Sequence, residues 1–178
     1  MPKTILKWAG NKSKIMNKIA EVFPEDFNRY LEPFAGSLGS YLHSGIPGDK
    51  EVLVNDLNAE IFNLFERTRD DYKKVSEMAN ALDKSKESYY KIRVLDRDPA
   101  WVETSTAFEK AARTVYLNKT CFNGLYRVNK KGFSNVPFGT PRKGEVLPLQ
   151  EAREFAEAIK NVSFHTLDYK SFLQMAQS

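Results

Sequence analysis

The sequence predicts an α/β fold built on a parallel sheet, and three observations lead to it. Three short apolar runs with strand character, residues 29–34, 51–55 and 162–167, are separated by segments with helical spacing, and strands alternating with helices form parallel sheets. Each run ends in a polar or glycine-rich element, at the edge where open α/β sheets bind ligands. A long insert of different character separates the second run from the third.

The elements follow in order. Ile15, Met16, Ile19, Ala20, Val22 and Phe23 form one apolar face of a helix over residues 12–23, closed by Pro24. The first strand, residues 29–34, enters a small-residue turn over residues 35–40, and a short helix follows near Tyr41. The second strand, residues 51–55, ends in Asp56, and a long helix starts around Asn58 with Ile61, Leu64 and Phe65 on one side. Residues 68–145 read as an insert, helical and charged as far as Lys119, with Phe108, Ala111, Ala112 and Val115 on one amphipathic helix. Asn123-Gly124 and Asn129-Lys130-Lys131-Gly132 then suit turns and a hairpin. A helix over residues 151–160 and a third strand ending in Asp168 complete the pattern. The division is therefore residues 1–67 and 146–178 for the sheet-bearing part and 68–145 for the insert.

Composition narrows the function. An apolar fraction of 42% with 12% aromatic residues suits a folded core and not a disordered chain. One cysteine, Cys121, rules out an internal disulfide. No apolar stretch approaches the roughly 20 residues that span a bilayer, and the first residues lack a signal-peptide pattern, so a reducing, cytoplasmic setting without membrane attachment is expected. Residues 110–143 hold eight Lys or Arg and no Asp or Glu; with a net charge of +4, the remainder sums to −4. Such asymmetry, interleaved with Tyr116, Phe122, Tyr126, Phe133 and Phe138, fits a segment that meets a polyanion. A solvated basic face is the plainer alternative.

Individual residues leave alternatives open. Asp56 is placed to accept hydrogen bonds from ribose hydroxyls or to cap the helix from Asn58. Gly36 and Gly39 are three apart, which is not a dinucleotide fingerprint. Gly10-Asn11-Lys12-Ser13 ends like a phosphate loop but lacks its spacing.

Five motifs together resemble the DNA adenine methyltransferase family in order and spacing. They are Lys7-Trp8-Ala9-Gly10-Asn11-Lys12, Glu32-Pro33-Phe34-Ala35-Gly36, Asn55-Asp56-Leu57-Asn58, Leu117-Asn118 with Phe122-Asn123-Gly124-Leu125-Tyr126-Arg127, and Phe133-Ser134-Asn135-Val136-Pro137-Phe138-Gly139. Asn11 and Ser37 stand where the family often has glycine. The resemblance implies a Rossmann-like S-adenosylmethionine-dependent sheet of about three parallel strands, incomplete relative to the family, with a mainly helical DNA-recognition insert plus hairpin. It implies a cofactor site at Trp8, Lys12, Glu32, Phe34, Gly36, Asp56 and Asp168. Asp56 would take the ribose hydroxyls and Asp168 the adenine amino group, since a carboxylate accepts what both donate. It implies double-stranded DNA as partner. Phe122, Asn123, Leu125, Tyr126 and Arg127 would contact the DNA. Arg127 would reach guanine O6 and N7, and Leu125 or Tyr126 would wedge into the gap left by a flipped adenine. Lys119, Lys130, Lys131, Arg142 and Lys143 would hold phosphates. The Asn-Gly-Leu-x-Arg arrangement resembles readers of GATC.

The family's catalytic Asp/Asn-Pro-Pro-Tyr/Phe motif is absent from these residues, so no catalytic residue is assigned and the chain alone is expected to be inactive. Asp98-Pro99-Ala100-Trp101 and Asn135-Val136-Pro137-Phe138 lack the preceding strand that would position such a motif. No metal site is expected. An exposed edge on the first strand, with bare apolar flanks, is expected to invite a complementary C-terminal fragment or a second copy. The competing readings are a non-catalytic DNA-binding module, half of a split methyltransferase, and a nucleotide-binding domain with no nucleic-acid partner.

Overall fold

A computed structural model describes residues 2–10, 15–24, 26–140 and 143–177. Three parallel strands, β1 (Arg29–Glu32), β2 (Glu51–Asn55) and β3 (Val162–His165), lie in the order β1-β2-β3. Leu31 is opposite Leu53, and Leu53 is opposite Ser163. β2 is central and buried from Val52 to Asn55, as its β-branched, apolar sequence requires of a strand covered on both faces.

Side chains alternate between the two faces. On one, Phe164 of β3 meets Phe62 of α3 (Ala59–Asp70) with ring centroids 5.0 Å apart, and Phe65 meets Phe155 of α8 (Leu149–Ala158) at 5.1 Å. On the other, Phe172 of α9 (Tyr169–Gln177) lies 5.6 Å from His165. The insert supplies α4 (Tyr72–Asn80), α5 (Lys86–Arg93), α6 (Pro99–Thr104) and α7 (Ala107–Thr120). Their starts are set by side chains that satisfy backbone N–H groups left over in a first turn. Asp71, Ser85 and Asp98 cap α4, α5 and α6, and Thr106 with Glu109 forms a reciprocal capping box on α7.

Several expectations change. The first helix is short, α1 (Met16–Ala20); residues 11–14 lie outside the described residues. Met16 is buried, but Ile15 and Val22 are exposed and do not share its face. β1 stops at Glu32 because Pro33 has no N–H to give a ladder, and Phe34, 67% exposed, belongs to the turn that leads to α2 (Gly39–Ser44). The hairpin is two isolated antiparallel bridges, Val128 to Ser134 and Cys121 to Phe138, rather than paired strands. The boundary at residues 67 and 68 falls inside α3, and one core runs from Ile5 to Val162 through both parts. The apolar flanks of β1 are not bare. Tyr30 packs against Phe23 and Tyr41, α9 buries Phe172 and Ala176, and Arg29 donates to the Ala176 carbonyl. Residues 169–177 cover this surface because their apolar positions recur at helical spacing. Among the described residues, β1 pairs with β2 only.

Asn55 fixes the carboxyl edge of the sheet. Its side chain is 1% exposed and spans all three strand ends. Nδ2 donates to the carbonyls of Pro33 (3.1 Å) and Leu167 (2.9 Å), and Oδ1 accepts from Leu167 N (2.8 Å). Replacing Asn55 with alanine leaves three backbone groups without this partner, and a buried unpaired group costs about 1–3 kcal/mol. Urea unfolding of N55A is expected to show a loss of about 3 kcal/mol with little change in slope; an unchanged midpoint would mean that these bonds do not hold the edge.

Candidate cofactor cleft and DNA-facing segment

An open cleft of about 260 Å³ lies at the carboxyl ends of β1 and β2, lined by residues that include Trp8, Glu32, Phe34, Gly36 and Asp56. Gly36 has φ +48, and a Cβ there would stand 2.7 Å from the Trp8 indole Nε1. Only glycine gives both the left-handed backbone and the close approach. Asp56 ties the turn to β2: its Oδ2 accepts from Gly36 N at 2.9 Å and its Oδ1 from Asn58 N at 3.0 Å. The cap on α3 is Asn58, whose Oδ1 accepts from Ile61 N at 3.4 Å. Each Asp56 oxygen has room for a second donor. Glu32 is 9% exposed and accepts from the Tyr30 hydroxyl at 3.0 Å. Burial, then the Glu32 carboxylate, raises the Tyr30 phenol pKa far above its ordinary value, so this bond keeps its proton on tyrosine.

The cleft gathers five of the seven residues expected for a cofactor. Lys12 lies outside the described residues. Asp168 is exposed and caps α9: Oδ1 accepts from Lys170 N at 3.1 Å and Ser171 N at 3.2 Å, and Oδ2 accepts from the Ser171 hydroxyl. The Ser171 hydroxyl, followed by its backbone N–H, lowers the Asp168 pKa. Asp168 is not part of the described cleft lining.

The residues expected to meet DNA follow α7. A turn at Phe122–Gly124 places Asn123 at φ +56 and Gly124 at φ +64. Phe122, Asn123, Leu125, Tyr126 and Arg127 are exposed, and Tyr126 reaches Trp8 at the cleft. The rings of Tyr126 and Trp8 have centroids 5.5 Å apart, and the Tyr126 hydroxyl donates to Glu60 Oε2 at 3.0 Å. Burial, then Glu60, pushes the Tyr126 phenol pKa well up, so it remains a neutral donor. Arg127 is held by Asn135: Nε donates to Oδ1 at 2.7 Å and Nη2 to the backbone carbonyl at 3.2 Å. Lys130 and Lys131 project from the exposed turn at Asn129–Gly132. Arg142 lies outside the described residues. Lys143 is exposed, but Lys119 is largely covered, 3.9 Å from Glu151, and the two line a separate cavity of about 390 Å³ with Lys7 and Lys84.

Counting charges overstated the basic face. Arg113 is 4% exposed, 3.1 Å from Asp96 Oδ2, and donates to the carbonyls of Ile92 and Arg93. Lys110 donates to the Val102 carbonyl. Arg113 holds the insert together and is closed to a polyanion. Asp98-Pro99-Ala100-Trp101 follows a 3₁₀ turn, Val94–Arg97, and Asp98 accepts from Ala100 N as a helix cap. No group of three or more His, Cys, Asp or Glu among the described residues could hold a metal, and no described helix is long and apolar enough to cross a membrane.

Two residues outside the expected set organise the site. Asn55 holds its floor. Asn118, 5% exposed, accepts from Lys7 N at 2.8 Å and donates to the carbonyls of Lys7 (2.9 Å) and Gly124 (3.1 Å). The sequence signal available was an amide at the end of an otherwise apolar run in each case.

Comparison with known proteins identifies the family. The profile of the D12 class N6 adenine-specific DNA methyltransferases matches residues 8–178. The chain is 32% identical over 184 residues to the Type II methyltransferase M.MjaIII of Methanocaldococcus jannaschii, covering 94% of this chain and 63% of that protein. It is 34% identical over 177 residues to the Retron Ec67 DNA adenine methylase of Escherichia coli, covering 98% and 59%. It is 29% identical over 175 residues to a DNA adenine methylase of Haemophilus influenzae, covering 96% and 58%. The chain thus spans about three-fifths of the length of these curated relatives. With the profile running through Trp8, the turn at Gly36, Asp56 and the segment after α7, the chain belongs to the D12 class of N6 adenine-specific DNA methyltransferases.

Proposed function

We propose that these residues form the S-adenosylmethionine-binding and target-reading parts of a site-specific DNA adenine methyltransferase. The reaction of such an enzyme moves the sulfonium methyl group of S-adenosylmethionine to the exocyclic amine of an adenine flipped from duplex DNA. The observation that carries the reading is the juxtaposition of the cleft and the reading segment through the Trp8–Tyr126 contact. The residues fit the cofactor: Asp56 has spare acceptor positions for ribose hydroxyls, and Trp8 and Phe34 offer apolar faces beside them. The cofactor supplies the activated methyl group; the chain supplies acceptors, an apolar wall and a close backbone at Gly36. The Asp168 carboxylate would reach the adenine amino group only from its position at the start of α9, while its bonds to that helix persist.

On the DNA side, Leu125 and Tyr126 would fill the space of the flipped base, and Arg127 would read guanine, GATC being the proposed site. Residues 68–145 would act as the target-recognition insert. Phosphates would be held by Lys130, Lys131 and Lys143, with Arg142 as a further candidate. These 178 residues contain no Asp/Asn-Pro-Pro-Tyr/Phe run, so the polypeptide they form alone is proposed to bind without transferring methyl. The outer edge of β1 is the proposed place for a further strand, from a complementary segment or a second copy, and the cytoplasm is the proposed setting.

Calorimetry with S-adenosylmethionine should show binding that D56A weakens tenfold or more, the equivalent of about 1.5 kcal/mol for hydrogen bonds to a charged group. Equal affinity in D56A would remove Asp56 from the site. DNA affinity should fall with salt at a log–log slope of about −3 to −4, as three or four phosphate contacts require, and the K130A/K131A pair should reduce that slope by about 2. No DNA binding at low salt would favour a nucleotide-binding domain without a nucleic-acid partner.

A further inference from the structure

The cleft wall and the reading segment are joined by one side chain. Asn118 lies in the last turn of α7, and its amide bonds both the N–H and the C=O of Lys7, as a neighbouring strand would. Its remaining amide hydrogen goes to Gly124 O, so both donors and an acceptor are used on a side chain only 5% exposed. Gly124 packs tightly here as well: a Cβ on it would stand 2.6 Å from Lys7 Cβ, and its φ is +64. Lys7 is therefore held through its backbone by Asn118 and packs its side chain against the reading turn. The next residue is Trp8, whose indole lies against Gly36 on the cleft side and 5.5 Å from the Tyr126 ring on the other. Tyr126 reaches back to Glu60 on α3, the helix that follows Asp56. The path from the reading turn to the cleft thus runs through hydrogen-bonded and packed groups.

We propose that Asn118 is a positioning residue that couples the two ligands: it fixes Trp8 relative to the Gly124 turn, so that DNA held on the reading segment stabilises the cofactor-competent wall, and cofactor in the cleft stabilises the DNA-competent turn. The inference rests on the cofactor and DNA reading above. Coupling between sites is reciprocal and typically about 5- to 150-fold in affinity. A ligand that orders a shared element lowers the ordering cost for the second ligand. Asn118 touches neither ligand in this scheme.

The test is the affinity of the full chain for S-adenosylhomocysteine, which has no methyl group to transfer, with and without saturating sheared mixed-sequence duplex DNA at low salt. The wild-type chain should bind the cofactor analogue at least fivefold more tightly with DNA. Asn118→Ala should bring that ratio close to one. Asn80→Ala is the control for mere loss of a structural amide. Asn80 is bonded to Val146 and Leu147, away from the cleft, and its variant should keep the wild-type ratio. Tyr126→Leu changes an exposed ring and should lower the ratio even if Asn118→Ala does not fold. A wild-type ratio of one, an unchanged ratio in the folded Asn118→Ala and Tyr126→Leu variants, or an equal loss in Asn80→Ala would overturn the proposal while leaving the binding reading intact. Failure of the wild-type chain to bind either ligand would overturn both.

Discussion

The carboxyl edge of the sheet depends on the buried amide of Asn55. Parallel strands release their carbonyls and N–H groups at the carboxyl end, where the ladder stops and the chain turns away. Such groups are costly to bury unpaired. Asn55 answers three of them at once, linking the exit of β1 at Pro33, the end of β2 and the exit of β3 at Leu167. With that edge fixed, Asp56 lies next to the Gly36 turn and bonds it, and the cleft acquires a floor before any ligand arrives. Preorganisation of this kind lowers the cost of ordering on binding.

A second amide does the corresponding work for the wall. Asn118 connects residues 111 apart in sequence, and Asn55 connects residues 112 apart. Such long closures are favourable only when the partners are buried and the bonds complete. Both amides are nearly inaccessible to water. Buried polar groups that are fully satisfied specify one arrangement of a core. Here they specify how an α/β sheet and a helical insert share a single boundary, with Trp8 between them.

The sheet was legible because its signal is local. The run at residues 51–55 is apolar on both faces, and β2 has those bounds. Helices α4 to α7 were legible as a helical, charged region, since their apolar positions recur at helical spacing, but not where each begins, because the caps at Asp71, Ser85 and Asp98 are single polar residues among many. α9 has no counterpart among the expected elements; Phe172 and Ala176, four apart and both buried, carry its pattern. The cleft residues came through resemblance, and Asp56 and Gly36 do adjoin. Asn55 and Asn118 stand within the family-like motifs, yet their partners lie too far along the chain for any local pattern to reveal. Arg113 shows the reverse error. A count of charges sees it as part of a basic surface, whereas Asp96, Ile92 and Arg93 enclose it in the insert. What remains exposed is a smaller set, Arg127, Lys130 and Lys131 close in sequence to exposed Leu125 and Tyr126, with Lys143 on a separate cavity.

The central claim is that cofactor enters at the carboxyl ends of the strands, over Asp56 and against Trp8. An alternative cavity of about 320 Å³ lies at the opposite end of the sheet, between Gly45, Pro47, Val52 and Ala158. Titration of the ¹⁵N-labelled chain with S-adenosylmethionine, followed by two-dimensional NMR, distinguishes the two ends. The account predicts that the Trp8 indole N–H and the amides of Gly36, Ser37 and Asp56 shift most. Largest shifts at Gly45, Gly48 and Lys160, with Gly36 and Asp56 unmoved, would contradict it.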